Sequence, residues 1–324
     1  MAARSPREAV TPDQYRRLAK EDIERIGHIE AGYCTRNPGR SLVFENGSHQ
    51  PQRGPMKIGD RRRMEAVPAR ACGTFRYRPP TAAGLDAFAA VWIHELPANP
   101  AGPIAVASDG TVDLQWVNGD FRVAGPDTEA AIEDLPSGTR IIGFRFRPGA
   151  AAAWLGTAVS NLTDRRVALE SLWGPRARHA ANSVPYEPDL ERLVHYLEII
   201  VGRMAPAFEG GDRKMRTAYH LTAGGPPPGA PLVPWLGRAL GMTERTLRRR
   251  FDQVFGYGPK TLDRILRYQR YLRLAGSSRD STARLALQAG YADQAHLNRE
   301  SRRLTGSTAA LMRQLAARWA PLDD

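Results

Sequence analysis

The stretch PWLGRALGMTERTLRRRFDQVFGYGPK, Pro234 to Lys260, decides how this chain reads. With STARLALQAGYADQAHLNRESRRLTG, Ser281 to Gly306, it has the form of two helix-turn-helix units. Each offers an apolar helix, a glycine for a tight turn, a short polar N-cap residue and a second helix, the pattern a DNA-reading motif requires. In the first unit Trp235, Leu236, Ala239 and Leu240 recur along one helix face. Gly241 suits the left-handed residue that ends a helix, and Thr243 is the expected N-cap of the next. Leu247, Phe251 and Phe255, four residues apart, should face inward. Arg245, Arg248, Arg249 and Asp252 then share the outer face. An isolated arginine run is more often a solvated helix face than a binding site. Here the run lies on the second helix of the motif, turned from its core, where guanidinium forks suit phosphates and guanine edges.

The second unit repeats the plan. Leu285, Ala286 and Ala289 form the inner stripe, Gly290 makes the turn, Asp293 is the expected N-cap and Leu297 the buried anchor. Gln294, Ala295, Asn298 and Arg299 fall on the exposed side, with His296 near its edge. Gln and Asn pair with adenine, Arg with guanine; the plain alternative for His296 is a surface imidazole without a partner. Between the units, the spacing of Leu262, Ile265, Leu266 and Leu272 predicts one stiff connecting helix over residues 261–275.

Leu247-x-Arg249-x-Phe251 followed by Gly256-x-x-Pro259 resembles the first motif of the AraC/XylS family of bacterial transcription regulators. Ala289-Gly290-Tyr291-x-Asp293-Gln294, then Gly306, resembles its second. The resemblance implies a sequence-specific binder of double-stranded promoter or operator DNA that recruits or hinders RNA polymerase. By motif position it carries recognition over to Arg245, Arg248 and Arg249, and to Gln294, Asn298 and Arg299. Two positions depart from the family pattern, Ser301 where an aromatic is usual and Ala309 where a proline is usual. A serine at an inner position predicts a second unit that is looser, or whose neighbours have repacked, since losing a buried Phe costs about 3–5 kcal/mol.

The 324 residues suffice for two domains, and the formal charge of +12 favours a polyanionic partner. From Pro231 onward 17 Lys/Arg face 8 Asp/Glu, a surplus of 9 in the segment that holds both units. A membrane partner is not expected, because no run approaches the roughly 18 apolar residues of a span. Cys34 and Cys72 are isolated and outside any CxxC, so neither a zinc site nor a disulfide framework is expected. The first thirty residues mix both charges and lack a signal-peptide pattern. A bacterial cytoplasmic, nucleoid-associated protein is the expectation.

Residues 1–73, rich in Gly, Pro and Arg after a short helical patch at Leu18, Ile23 and Ile26, read as a flexible extension. Arg61, Arg62 and Arg63 there read as a solvated tail. From Gly73 the pattern turns to strands. Leu85, Phe88, Val91 and Trp92 open it, and Ile104–Val106, Val112–Val117, Phe121–Val123 and Ile141–Phe146 follow, separated by Asp109-Gly110, Asn118-Gly119 and Gly125-Pro126. SDGTVDLQW, VAGP and GFRFRPGAAAAWLG in that order resemble the cupin-like sensory domain of one branch of the same family. Ala151–Leu155 reads as a helix, and Asn161 or Thr163 as the cap of another. The stripe Leu190, Leu193, Val194, Leu197, Val201 and Met204 is amphipathic, by default a core face and otherwise a dimer face. AGGPPPGAP, Ala223 to Pro231, marks a linker.

The expected architecture is therefore α+β. A flexible extension (1–73) precedes an antiparallel β-barrel-like, cupin-like sensory or dimerisation domain (74–210). A linker (211–231), an all-α domain with two helix-turn-helix motifs (232–315) and a tail (316–324) follow. No cofactor, metal or catalytic residue is expected. His94 and Glu95 are adjacent, so on a strand they point to opposite faces, and His94 reads as a partly exposed residue near a loop. Asp109 reads as turn chemistry and Trp116 as core. There is no phosphate-binding glycine loop and no nucleophile elbow. The partners implied are duplex DNA, RNA polymerase, a small-molecule effector and a second copy. The rival readings are a non-specific nucleic-acid binder, against which the paired reading helices speak, and an enzyme with a DNA-binding tail, which lacks a catalytic constellation.

Overall fold

The computed structural model describes residues 66–99, 102–204 and 211–319. The helical patch, the arginine triplet and Cys34 lie outside the described residues. The fold is mixed α+β as expected, with sheets in the N-terminal part and helices in the C-terminal part. Strands β1 (Val67–Pro68), β4 (Ile104–Val106) and β7 (Ala131–Glu133) form one sheet, in which β1 and β4 run parallel. Strands β2 (Thr74–Arg78), β3 (Phe88–Glu95), β5 (Asp113–Val117), β6 (Asp120–Ala124), β8 (Arg140–Phe146) and β9 (Arg166–Ala168) form a second, antiparallel sheet in the order β2-β3-β8-β5-β6-β9. The Asn118-Gly119 turn closes the β5–β6 hairpin on two residues. Both have positive φ, 53° and 90°, the geometry that matches strand twist in a two-residue turn.

Alternation along these strands divides the large sheet into two unlike faces. Phe88, Val91, Ile93, Leu114, Phe121, Val123, Ile142 and Phe144 are all buried on one side. They pack against helices α1 (Ala151–Leu155), α2 (Leu169–Trp173), α3 (Pro175–Asn182) and α4 (Leu190–Met204). Trp154 of α1 meets Phe88 and Phe146 edge-on at 5.4 Å each. Trp116 belongs to this core, as read from the sequence. The stripe of α4 also faces it, so the default core role of that stripe holds and those side chains are spent within their own domain. Glu198 of α4 is fully buried and takes four bonds, two from Arg78 at 3.0 and 2.9 Å and two from Thr81 at 2.9 and 2.7 Å.

The opposite face carries aromatic and charged residues and meets the small sheet. Arg122 and Arg166 both reach Glu133 of β7 at 2.7 Å, and Arg166 also holds Asp127 with two bonds of 2.9 Å. Arg145 lies 2.8 Å from Asp109 and 3.1 Å from Asp113. Burial pushes the Asp109 carboxyl up, but Arg145 and Thr111 pull it down further, so it stays charged below the ordinary aspartate value. Asp109 is thus more than turn chemistry. The Trp92 indole lies on Gly143, where a Cβ would come within 2.0 Å of the ring, so only glycine fits there.

Several local expectations are corrected. His94 is buried, not partly exposed: its Nε2 is 2.6 Å from the Cys72 carbonyl and its ring stacks on Phe75 at 3.8 Å. It does point away from Glu95, by strand register. Asn161 and Thr163 cap no helix; a 3-10 turn, Val159–Asn161, and β9 follow instead, and α2 starts without a side-chain cap. Within the stretch expected as linker stands helix α5 (Arg213–Gly224), capped by Asp212, whose Met215 and Ala218 are buried in the C-terminal core. Its apolar residues are too few to stand out from the Gly/Pro-rich sequence that follows.

Candidate nucleic-acid interface

The C-terminal core is built from α5 and six further helices: α6 (Leu232–Leu240), α7 (Glu244–Phe255), α8 (Pro259–Ser277), α9 (Thr282–Gln288), α10 (Gln294–Thr305) and α11 (Ala309–Trp319). In the first unit α6 buries Val233, Leu236, Gly237 and Leu240. Ala239 is exposed, so the inner face is rotated from the one read off the sequence, with Val233 in its place. Gly241 ends α6 at φ 62°, and the Thr243 side chain accepts from Thr246 N at 3.2 Å to open α7. Leu247, Phe251 and Phe255 are buried as expected. Arg245, Arg248 and Arg249 are exposed on the other side. Arg248 has only a 3.7 Å i,i+4 pairing with Glu244, an exposed pair that holds it weakly. Arg250 turns the other way and binds Asp212, tying α7 to the cap of α5.

The second unit follows the same construction. Leu285, Ala286 and Ala289 are buried, Gly290 turns at φ 91°, and Asp293 accepts from His296 N at 2.6 Å. Leu297 and Leu304 anchor α10. Gln294, Ala295 and Arg299 are exposed. The other two candidates are not equivalent to them. Asn298 is half-buried, and its Oδ1 accepts from Ala309 N at 3.3 Å, one of the amides that helix α11 leaves open at its start. His296 is half-buried against Tyr291, edge to face at 5.2 Å, so it has a partner. The first-helix arginines Arg238 and Arg284 are exposed as well, where the first helix of such a motif crosses the backbone of a duplex. Their signal in the sequence was a basic residue on the polar side of each short helix.

Ser301 is fully buried, and its neighbour from α8 is the equally buried Tyr268. The Tyr268 hydroxyl is 2.8 Å from Ser301 Oγ, which also donates to the Ser307 carbonyl at 2.8 Å. Tyr271 donates to the Ala309 carbonyl at 3.0 Å. Of the two outcomes expected for Ser301, repacking is the one found. Helix α8 runs 19 residues without a break and buries Leu262, Ile265 and Leu266, while Leu272 is half-buried. Among the described residues no helix is long and apolar enough to cross a membrane.

Residues 236–314 match a family model described as a helix-turn-helix domain, and residues 78–168 match a domain of unknown function, DUF6597. No curated protein matches the chain. Among solved structures, a lysine-to-alanine variant of apo ToxT from Vibrio cholerae strain SCE256 aligns at TM-score 0.42 and 10% identity, over 74% of this chain and 100% of that one. A second ToxT structure from Vibrio cholerae aligns at TM-score 0.39 and 8% identity, over 75% of this chain and 98% of that one. The C-terminal segment carries a helix-turn-helix domain of the AraC type, a DNA-binding module of transcription regulators.

Proposed function

We propose that the chain is a sequence-specific DNA-binding transcription regulator whose helices α7 and α10 enter successive major-groove faces of one duplex. The observation that carries this reading is the pair of capped second helices, each with its basic face exposed, joined by one unbroken helix. At 1.5 Å per residue α8 is about 28 Å long, close to the roughly 34 Å between successive major-groove faces. Arg245, Arg248 and Arg249 serve α7. Gln294 and Arg299 serve α10, with His296 and Asn298 at its edge. The surplus of basic residues from Pro231 onward supplies the phosphate-neutralising charge.

The N-terminal domain, in this reading, senses a small effector or mediates self-association, and the bound regulator recruits or hinders RNA polymerase. A polar inner face supports a sensory role: Gln115, Arg122 and Arg145 lie there. Trp92 Nε1 is buried there with no hydrogen-bond partner among the described residues.

The test is selection of duplexes from fragmented genomic DNA by the full chain, followed by binding to a selected and a scrambled duplex across salt. A strong preference for the selected duplex is expected, with a steep log–log salt slope of about −0.9 per phosphate neutralised. Equal binding to both duplexes would leave a non-specific binder and overturn the reading.

A further inference from the structure

Two loops of the N-terminal domain reach into the helical domain. Residues 107–112 join β4 to β5, and residues 125–130 join β6 to β7. Ser108 spends every polar group it has. Its N–H donates to the Leu304 carbonyl at 2.8 Å, its carbonyl accepts from Gln269 Nε2 at 3.1 Å, and its hydroxyl donates to the Asp127 carbonyl in the second loop. Ala130 N–H donates to the Arg303 carbonyl at 3.0 Å, and Glu129 pairs with the Arg303 side chain at 3.3 Å. Arg264 of α8 donates to the Thr128 carbonyl at 3.2 Å. Gly110 lies against Leu262 and Ile265 of α8 and the Tyr257 hydroxyl.

The Arg303 and Leu304 carbonyls are among the last four of α10, which a helix cannot satisfy from within. The N-terminal domain therefore supplies donors at the C-terminal end of the second reading helix. It also grips the end of the first, where Thr163 Oγ1 donates to the Gly256 carbonyl at 2.8 Å. Both loops are in turn pinned to the sheet, Asp109 by Arg145 and Asp127 by Arg166. None of these contacts covers the outer faces. Arg245, Arg249, Gln294 and Arg299 stay exposed with the domains docked.

We propose that the N-terminal domain is a splint for the DNA reader. Loops 107–112 and 125–130 complete the second helix-turn-helix unit and, with Thr163, hold both units at one relative setting, so that the docked form is the one that engages two successive grooves. This rests on the reading of α7 and α10 as DNA-contacting helices. It turns the usual expectation for linked domains, relative motion, into a fixed arrangement.

A staple tests the direction of the effect. A Cβ built on Gly306 lies 3.9 Å from the Ala130 Cβ, close to the roughly 3.8 Å usual across a disulfide. Ala130→Cys with Gly306→Cys, in the full chain carrying Cys34→Ser, brings two sulfurs within bonding reach, although a side chain at the left-handed Gly306, φ 71°, carries backbone strain. The oxidised protein should bind a selected two-site duplex at least as tightly as its reduced form. A tenfold loss on oxidation would mean that docking closes the reader to DNA and would overturn the proposal.

Glu129→Arg with Thr163→Ala loosens the clasp from its exposed side. Amides 303–309 should then exchange with deuterium about tenfold faster, and affinity for the two-site duplex should fall at least fivefold while a single-site duplex binds as before. Unchanged exchange at those amides in the folded variant would refute the splint. Because exchange is read without DNA, it judges the clasp even if the parent chain shows no sequence preference, a result that would sink only the DNA reading.

Discussion

The hydroxyls of Tyr268 and Ser301 lie 2.8 Å apart in the buried centre of the C-terminal helices, one from α8 and one from α10. The pair is a polar contact where the sequence resemblance predicts an aromatic one, and the Ser307 carbonyl takes the remaining proton. Ser301→Ala should cost about 1–3 kcal/mol, the penalty of leaving a buried partner unsatisfied. Tyr268→Phe with Ser301→Ala should cost less than the two single changes added together, as coupled neighbours do. Ser301→Phe should destabilise by about 1–3 kcal/mol, because Tyr268 already fills the space. Urea unfolding of the four variants checks all of these; additive single effects would show that the two hydroxyls do not interact.

Arg249 and Arg299 should lose specificity to similar extents. Each helix is anchored by fully buried side chains, Leu247 and Phe251 in α7 and Leu297 and Leu304 in α10. Each Arg→Ala change should weaken binding to a selected duplex by about 1–3 kcal/mol where a guanine edge is read, with little change on scrambled DNA. Titration of both variants on both duplexes, with helicity followed by circular dichroism, decides it. Parallel losses on selected and scrambled DNA would assign the residue to phosphate instead.

Asn298 should behave unlike its neighbour Arg299. Its side chain accepts from the Ala309 amide at the start of α11, a role like that of a helix cap. Asn298→Ala should lower stability by about 0.5–2 kcal/mol, whereas Arg299→Ala should leave it near that of the parent. Thermal unfolding of the two separates them. A stability-neutral Asn298→Ala would return that residue to the purely DNA-facing set.

Glu198 should make the N-terminal domain acid-sensitive. Burial pushes its carboxyl up, and the bonds from Arg78 and Thr81 pull it down further, below the ordinary glutamate value of 4.5. A carboxyl depressed in the folded state contributes stability that is fully present above its unfolded value and is lost as pH falls through its folded one. Stability should therefore drop below about pH 4.5, and Glu198→Gln should flatten that part of the profile. Glu198→Ala should cost about 1–3 kcal/mol at neutral pH, because it removes the acceptor of the Arg78 guanidinium and of the Thr81 amide and hydroxyl. Denaturant unfolding from pH 3 to 7 tests both, and an unchanged acid limb in Glu198→Gln would place the sensitivity elsewhere.

What the amino-acid sequence determined by itself was local. Thr243 and Asp293 as caps, Leu247 and Phe251 as the inner face of α7, and the Asn118-Gly119 hairpin all follow from backbone periods of 3.6 and 2 and from residues that suit particular dihedrals. These signals need only neighbours in the chain. Tertiary structure decided which polar residue met which partner. Asn298 and Arg299 are adjacent and equally polar, yet one serves α11 and the other faces outward, because only the folding back of α11 brings the Ala309 amide within reach. Strand β2 alternates polar and aromatic residues over Thr74–Arg78, but its place at the edge of the large sheet was set only by pairing with β3. Ser108 precedes the Asp109-Gly110 turn, and its role arises from Leu304 and Gln269, each more than 150 residues away in the chain. Backbone geometry sets a residue's direction within its element, while its partner depends on which surfaces pack together, and no local period encodes that.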